Sequence, residues 1–386
     1  HLDGSVDLVK HYLSLSRSRP LTIILRDPGC RSIFAPEGFR PVFELLLDQV
    51  ARWQTLVMNH GWFTGNVNFK IRTQASMLTT FIIQGHPEEG ALGPFVRDLA
   101  QSAPHVRHFR WDVTLKPVSY PSELSWHERI PLRPSSITKL SLDNRVLVVE
   151  ALQFFSQAPL LTHVALGNVA MPQWGFVPPP QSISLPNLQR LSLDINFEGH
   201  NARYDLPTMA PLLAFLHAPR LQHATFKNDP HWSQQAFNQF LRSSACSLSS
   251  LTFHNLPLSP QDLGAALSAS QLQSLNYLTI HTARGRETPL TPALINAMTP
   301  TSSTQSYAVP VLQSLALNAD ALGDPSQAGY FAKMVKRRCR MESLCRLRKV
   351  EVLHYRSRHR NHPDLVELAN FAAKGYLAVK FRRPEL

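Results

Sequence analysis

The chain has 386 residues and a net charge of +12, from 39 Lys+Arg against 27 Asp+Glu. An apolar fraction of 44% excludes a largely disordered polymer, and 55 Leu with only 17% charged residues points to an architecture rich in internal surface. No apolar run is long enough to span a membrane, and the four cysteines (Cys30, Cys246, Cys339, Cys345) contain no CxxC pair, which argues against a disulfide framework or a zinc site.

The first residue is His1, and no basic-then-apolar leader follows, so the sequence reads as a fragment, or as a gene product lacking its first exon, from a reducing cytoplasmic or nuclear setting. Spacing predicts a helix over Val6–Leu15, a strand over Leu21–Leu25 and a helix over Pro41–Ala51. One pattern then recurs: apolar, two residues, apolar, one residue, apolar. Its eleven copies are Trp53/Leu56/Met58, Leu78/Phe81/Ile83, Val106/Phe109/Trp111, Ile137/Leu140/Leu142, Leu161/Val164/Leu166, Leu188/Leu191/Leu193, Leu221/Ala224/Phe226, Leu248/Leu251/Phe253, Leu275/Leu278/Ile280, Leu312/Leu315/Leu317 and Leu347/Val350/Val352. They start 24 to 37 residues apart. Strand side chains alternate faces, so the last two apolar positions of each copy point the same way.

Helical spacing fills the intervals. Val146–Phe155 carries a broad apolar stripe. Ser259, Pro260 and Asp262 form an N-cap, a first-turn proline and a first-turn acid, and Thr291–Pro292 starts another helix. A basic helix covers Phe331–Arg338, and a helix over His362–Lys374 stops at Gly375, ahead of a closing strand over Gly375–Phe381. Insertions fall at Lys116–Arg133, Glu198–Leu206 and Ala283–Ala308, and Trp174–Pro180 is a rigid loop. The repeat phase continues across them. The organisation is one continuous domain: a cap over 1–52, eleven irregular repeats over 53–355, and a capping helix and strand over 356–386.

One strand and one helix per repeat, all running one way, is the plan of an α/β leucine-rich-repeat solenoid, a horseshoe with a parallel concave sheet and convex helices. The alternative is a closed or doubly wound α/β sheet. Three segments narrow this further: Ser16–Leu25 with its Arg19-Pro20-Leu21, Val50–Leu56 with Arg52-Trp53, and the basic helix Phe331–Arg338 followed by Leu347–Val352. The array resembles the leucine-rich-repeat region of fungal F-box proteins. That resemblance implies the substrate-recognition region of an F-box-type (SCF) ubiquitin ligase receptor, reaching a Skp-type adaptor and cullin only through an F-box that this sequence lacks. Only the Leu188 copy has the asparagine, Asn196, that many such repeats place three residues past the last leucine; no asparagine ladder is otherwise expected.

Solvent-facing strand positions form files. One reads His108, Lys139, His163, Arg190, His223, Ser250, Tyr277, Ser314, Lys349; another, four residues on, reads Asp112, Asp143, Gly167, Asp194, Lys227, His254, His281, with Arg110 between the two. Neighbouring strands lie about 4.8 Å apart and four residues cover about 13 Å, so the files are expected to be separate basic and acidic ridges. The basic ridge, Lys139 and Arg190 above all, suits an acidic or phosphorylated protein segment. His163, between cations, is expected to resist protonation. From Tyr330 onward there are 15 Lys+Arg against 5 Asp+Glu, and Lys333, Lys336, Arg337, Arg338 and Arg340 form a basic patch on a helix. A solvated face, an acidic or nucleic-acid partner and a nuclear-localisation signal all fit that patch.

Catalytic arrangements are missing from the sequence. There is no phosphate-binding loop, nucleophile elbow or HExxH, and Gly85, Gly90 and Gly93 are read as a turn that opens no helix. His359 and His362 lack further ligands nearby, so no metal and no cofactor is expected. The sequence thus reads as a non-enzymatic interaction scaffold, with an adaptor or sensor outside ubiquitination, or a basic nucleic-acid-associated scaffold, as alternatives.

Overall fold

Every apolar position of the eleven triplets is buried, none more than 2% exposed, and every triplet marks a strand. The computed structural model describes residues 6–25, 39–59, 69–84, 92–112, 131–143, 146–171, 179, 181–195, 208–282, 289–300, 307–322, 328–341, 346–353 and 361–382. It is a mixed α/β structure that divides into two compact units, one built mainly on His1–Asn168, the other on Pro179–Asn196 and Leu206–Leu386. That division falls inside the array, where the repeat phase alone marks no boundary.

The first unit carries β1 (Leu21–Leu25), β2 (Trp53–Asn59), β3 (Thr80–Gln84), β4 (His108–Asp112), β5 (Lys139–Asp143) and β6 (His163–Gly167), parallel and adjacent in chain order. Its α-helices among the described residues are α1 (Val6–Ser16), α2 (Phe39–Leu47), α3 (Leu92–Ser102) and α4 (Val148–Ser156). The second unit carries β7 (Arg190–Asp194), β8 (His223–Lys227), β9 (Ser250–His254), β10 (Tyr277–His281), β11 (Ser314–Asn318), β12 (Lys349–Leu353) and β13 (Ala378–Phe381), again parallel in chain order. With them are α5 (Ala210–Phe215), α6 (Gln234–Ser244), α7 (Pro260–Leu267), α8 (Pro292–Ala297), α9 (Tyr330–Cys339) and α10 (Pro363–Ala373).

The triplets pair without slippage, so like stacks on like. Leu193, Phe226, Phe253, Ile280, Leu317 and Val352 form one buried row, and Met58, Ile83, Trp111, Leu142 and Leu166 form its counterpart in the first unit. Phe226 stacks on Phe253 at 6.3 Å, with Trp232 and Phe237 closing the cluster. Each such side chain contributes about 1.5–3 kcal/mol of burial, and a one-residue slip would turn a whole row to solvent.

Local chemistry sets the helix ends. Ser259 accepts from the Asp262 amide at 3.0 Å and Asp262 reaches back, so the expected N-cap and first-turn acid close a capping box; Thr291 caps α8 by a single bond from the Leu294 amide. Gly375 ends α10 at φ 74. The N-terminus of α9 has no cap of its own. Buried Asp364 of α10 supplies it, its Oδ1 accepting from the Gly329 and Ala332 amides at 3.0 and 2.8 Å.

Four expectations change. Val146–Leu147 is a short strand and the helix begins at Val148. Gly93 lies in the first turn of α3, not in a turn that opens no helix. Helices α5 and α6 fill intervals in which the sequence marks none. Finally, a polar side-chain ladder does exist. Asn228 Nδ2 donates to Asp194 Oδ1 at 2.7 Å, Asn255 Nδ2 to Asn228 Oδ1 at 2.9 Å, and His281 Nδ1 meets Asn255 Oδ1 at 3.0 Å. Asn168, Asn228 and Asn255 sit two residues past the last apolar one, each with φ between 51 and 58, a left-handed turn that asparagine tolerates better than most residues. Asn196, three residues past the last leucine of its copy, lies outside the described residues.

Candidate functional site: the polar sheet face

Backbone pairing brings the solvent-facing files together within each unit. In the first, His108, Lys139 and His163 stand in register beside Thr80, and Gln84, Asp112 and Asp143 form the parallel file. In the second, Arg190, His223, Ser250, Tyr277, Ser314 and Lys349 are in register, as are Asp194, Lys227, His254 and His281. Tyr277 is 54% exposed and puts an aromatic ring on this face. A third file runs between them: Ser192, Thr225, Thr252 and Thr279, half-buried, then Ala316. Sequence reasoning passed over it, although its signal is simple. It is the residue between the last two apolar positions of each triplet. These short side chains make a low, hydroxyl-lined floor between two taller flanks.

Two acids of the second file find cations outside the basic ridge. Arg110, in the middle file, donates to Asp112 Oδ1 at 2.7 Å along its own strand, and Lys227 lies 3.6 Å from Asp194 across one strand spacing. Spacing along the strand keeps the outer files apart, and these acids are met instead by an arginine placed halfway and by a lysine within the acidic file itself. Asp112 in the first unit and Asp194 in the second are therefore each matched by one cation. A Cβ at Gly167 would stand 2.6 Å from Asp143 Oδ1 and 3.2 Å from the Asp143 Cα, so glycine lets the two strands meet without moving that carboxylate.

Burial, then the Lys139 and Arg110 charges, pushes His108 below the usual imidazole range; burial, then Arg190, does the same for His223. Both present neutral rings at pH 7. His163 shares a 2.9 Å hydrogen bond with Thr162 Oγ1. His254 and His281 stack face to face, centroids 4.0 Å apart and 9° from parallel. At the far end of the second unit lies a group the sequence did not mark. Burial alone would raise Glu351, yet Lys349, Arg382 and Lys380 together hold it below the ordinary carboxylate range. Lys349 Nζ is 2.9 Å from Glu351 Oε2, and Arg382 pairs with Oε1.

The helical basic patch is overturned in part. Lys333, Arg337 and Arg340 are exposed along α9 and Lys336 pairs with Glu367, but Arg338 is fully buried and is no surface cation. Its Nε, Nη1 and Nη2 donate to the carbonyls of Met298, Val309 and Ala308 at 2.8, 3.0 and 2.8 Å, and its guanidinium lies 5.0 Å from the Tyr307 ring centroid. Helical spacing explains it, for Phe331, Met334, Val335 and Arg338 share the inward stripe.

Cys246 and Cys339 are buried free thiols, each pushed up to about 11 by burial, which makes them inert at neutral pH. No group of three or more His, Cys, Asp or Glu is placed to hold a metal ion among the described residues, and none of their helices is long and apolar enough to cross a membrane. Cys30, Cys345, Gly85, Gly90, His359, the Glu198–Leu206 insertion, most of Lys116–Arg133 and of Trp174–Pro180, and part of Ala283–Ala308 lie outside the described residues. No protein-family model matches the chain, and no curated protein matches it.

Proposed function

We propose that each unit is a stretch of leucine-rich-repeat solenoid, and that the chain is a non-enzymatic recognition scaffold whose polar sheet face docks an acidic or phosphorylated segment of a protein partner. The observation that carries this reading is register. Repeats 24 to 37 residues apart in sequence deliver their solvent-facing side chains to adjacent, in-register positions, with Lys, Arg, His and Tyr flanking a floor of Ser and Thr. Such a surface is rigid before it binds, which reduces the entropy lost on docking. The resemblance of Ser16–Leu25, Val50–Leu56 and Phe331–Val352 to fungal F-box proteins supports a place as substrate receptor in an SCF-type ubiquitin ligase, with the ligase chemistry in other subunits.

The test is affinity capture from a lysate by the tagged chain and by its Lys139→Glu/Arg190→Glu double variant, followed by mass spectrometry. The reading expects a discrete set of partners that the double variant loses, with a Skp-type adaptor and cullin recovered by a form that carries an F-box. Partner capture unchanged by both charge reversals would refute it.

A further inference from the structure

The acids on the polar face are matched by single cations at Asp112 and Asp194, but not at Glu351. Three cations gather there around one carboxylate. Glu351 is 7% exposed; Lys349 engages one of its oxygens and Arg382 the other. Lys380 is the in-register neighbour of Glu351 on β13, so it projects from the same face, and its charge also bears on Glu351. One cation would balance Glu351. Among the described residues, the remaining two leave a local surplus of two positive charges.

We propose that Lys349, Lys380 and Arg382 form a seat for a phosphate monoester, which in the reading above belongs to a phosphorylated segment of the docked partner. Three features favour an anion seat. First, Glu351 ties the heads of Lys349 and Arg382 to one point, and the Arg382 backbone is fixed by its amide donating to the Val352 carbonyl at 2.8 Å. Much of the side-chain freedom that an anion would have to freeze is already lost. Second, Lys349 has two further donors, and the Arg382 Nη groups have no other partner among the described residues. Third, the neighbouring strand leaves room on that side, since Ala316 stands in register with Glu351 and Ser314, a hydroxyl donor, with Lys349. A phosphate monoester carries about −1.5 to −2 at neutral pH, close to the surplus, whereas a carboxylate would cancel only half of it. The competing explanation is that these charges merely guard the outer edge of β13 against strand addition.

Backbone NMR titrations with inorganic phosphate, with a short phosphoserine peptide and with its glutamate and serine twins decide the matter. The seat predicts saturable shifts confined to the backbone around Lys349, Lys380 and Arg382, and the phosphopeptide binding more tightly than either twin. Lys380→Ala, which removes an exposed side chain outside the Glu351 hydrogen bonds, should keep the unfolding midpoint and weaken phosphopeptide binding about tenfold, the loss of one charge-assisted contact. Lys333→Ala/Arg337→Ala on α9 should change nothing. Shifts that never saturate, or equal weakening by the α9 variant, would reduce the site to general basicity, and no effect of Lys380→Ala would leave an edge guard only. Saturable inorganic phosphate with no preference for the phosphopeptide would refute the partner-segment assignment. A seat that binds the phosphopeptide while Lys139→Glu/Arg190→Glu leaves partner capture intact would instead fault the docking reading alone.

Discussion

Replacing Arg338 with alanine separates a structural cation from a surface one. The side chain donates to three carbonyls from two segments of the chain: Met298 at the end of α8, and Ala308 and Val309 in the turn before β11. Val309 holds φ 46, a costly conformation for a β-branched residue, and its carbonyl also accepts from the Leu312 amide at 3.3 Å. Without Arg338 the carbonyls of Met298 and Ala308 lose their only donor among the described residues, and each unsatisfied buried group costs about 1–3 kcal/mol. Adding the vacated volume, and subtracting the relief of no longer burying a guanidinium, Arg338→Ala should destabilise the second unit by about 3–5 kcal/mol. Arg338→Lys keeps the charge but cannot fork to three acceptors, and should lose about 1–3 kcal/mol. Arg337→Ala, one residue away and exposed, should stay within about 0.5 kcal/mol of wild type. Urea unfolding followed by circular dichroism, with amide exchange read at residues 308–312, measures all three. Equal midpoints for Arg338→Ala and Arg337→Ala would refute the assignment.

Two other predictions follow from the polar face. His108 and His223 have folded pKa values below their unfolded value of 6.5, so the unfolded chain takes up protons first as pH falls. Stability should therefore be full above pH 6.5 and decline as pH drops from there through the two folded values; by NMR titration, Arg190→Ala should raise His223 part of the way back, because burial remains, and leave His108 unmoved. In the ladder, Asn255 supplies both a bridging amide and a left-handed turn at φ 54. Asn255→Gly keeps the turn and Asn255→Ala keeps neither, so alanine should be the worse by about 1 kcal/mol in chemical denaturation; equal losses would remove the backbone part of the argument.

How far the sequence discloses the structure depends on what a residue's position has to know. The triplets disclose the strands because an alternating apolar pair bears the same meaning wherever it occurs, and eleven repetitions leave no freedom in phase. Ser259-Pro260 and Gly375 disclose helix ends for the same reason, as their chemistry is local. Asp364 does not disclose that it caps α9, because that hydrogen bond joins residues more than thirty positions apart. The ladder escaped for a different reason. Many leucine-rich repeats place asparagine three residues past the last leucine, whereas these turns place it at the second, as Asn168, Asn228 and Asn255 all show.

The charged residues make the sharper case. Position along the repeat placed His108, Lys139, Arg190 and Tyr277 on the polar face correctly, since backbone geometry alone decides which face a side chain takes. What each charge does there is decided by neighbours that the repeat does not specify. Arg110 and Lys227 neutralise acids of their own face, whereas Lys349, Lys380 and Arg382 outnumber theirs. On α9 the same residue type divides by helical phase, with Arg338 on the stripe of Phe331 and Val335 and Arg337 a hundred degrees around from it. A count of basic residues over this helix thus measures two unrelated quantities, an internal clamp and a solvent charge. Only the second can take part in binding, and it is from that surplus, counted pair by pair, that a ligand's charge can be inferred.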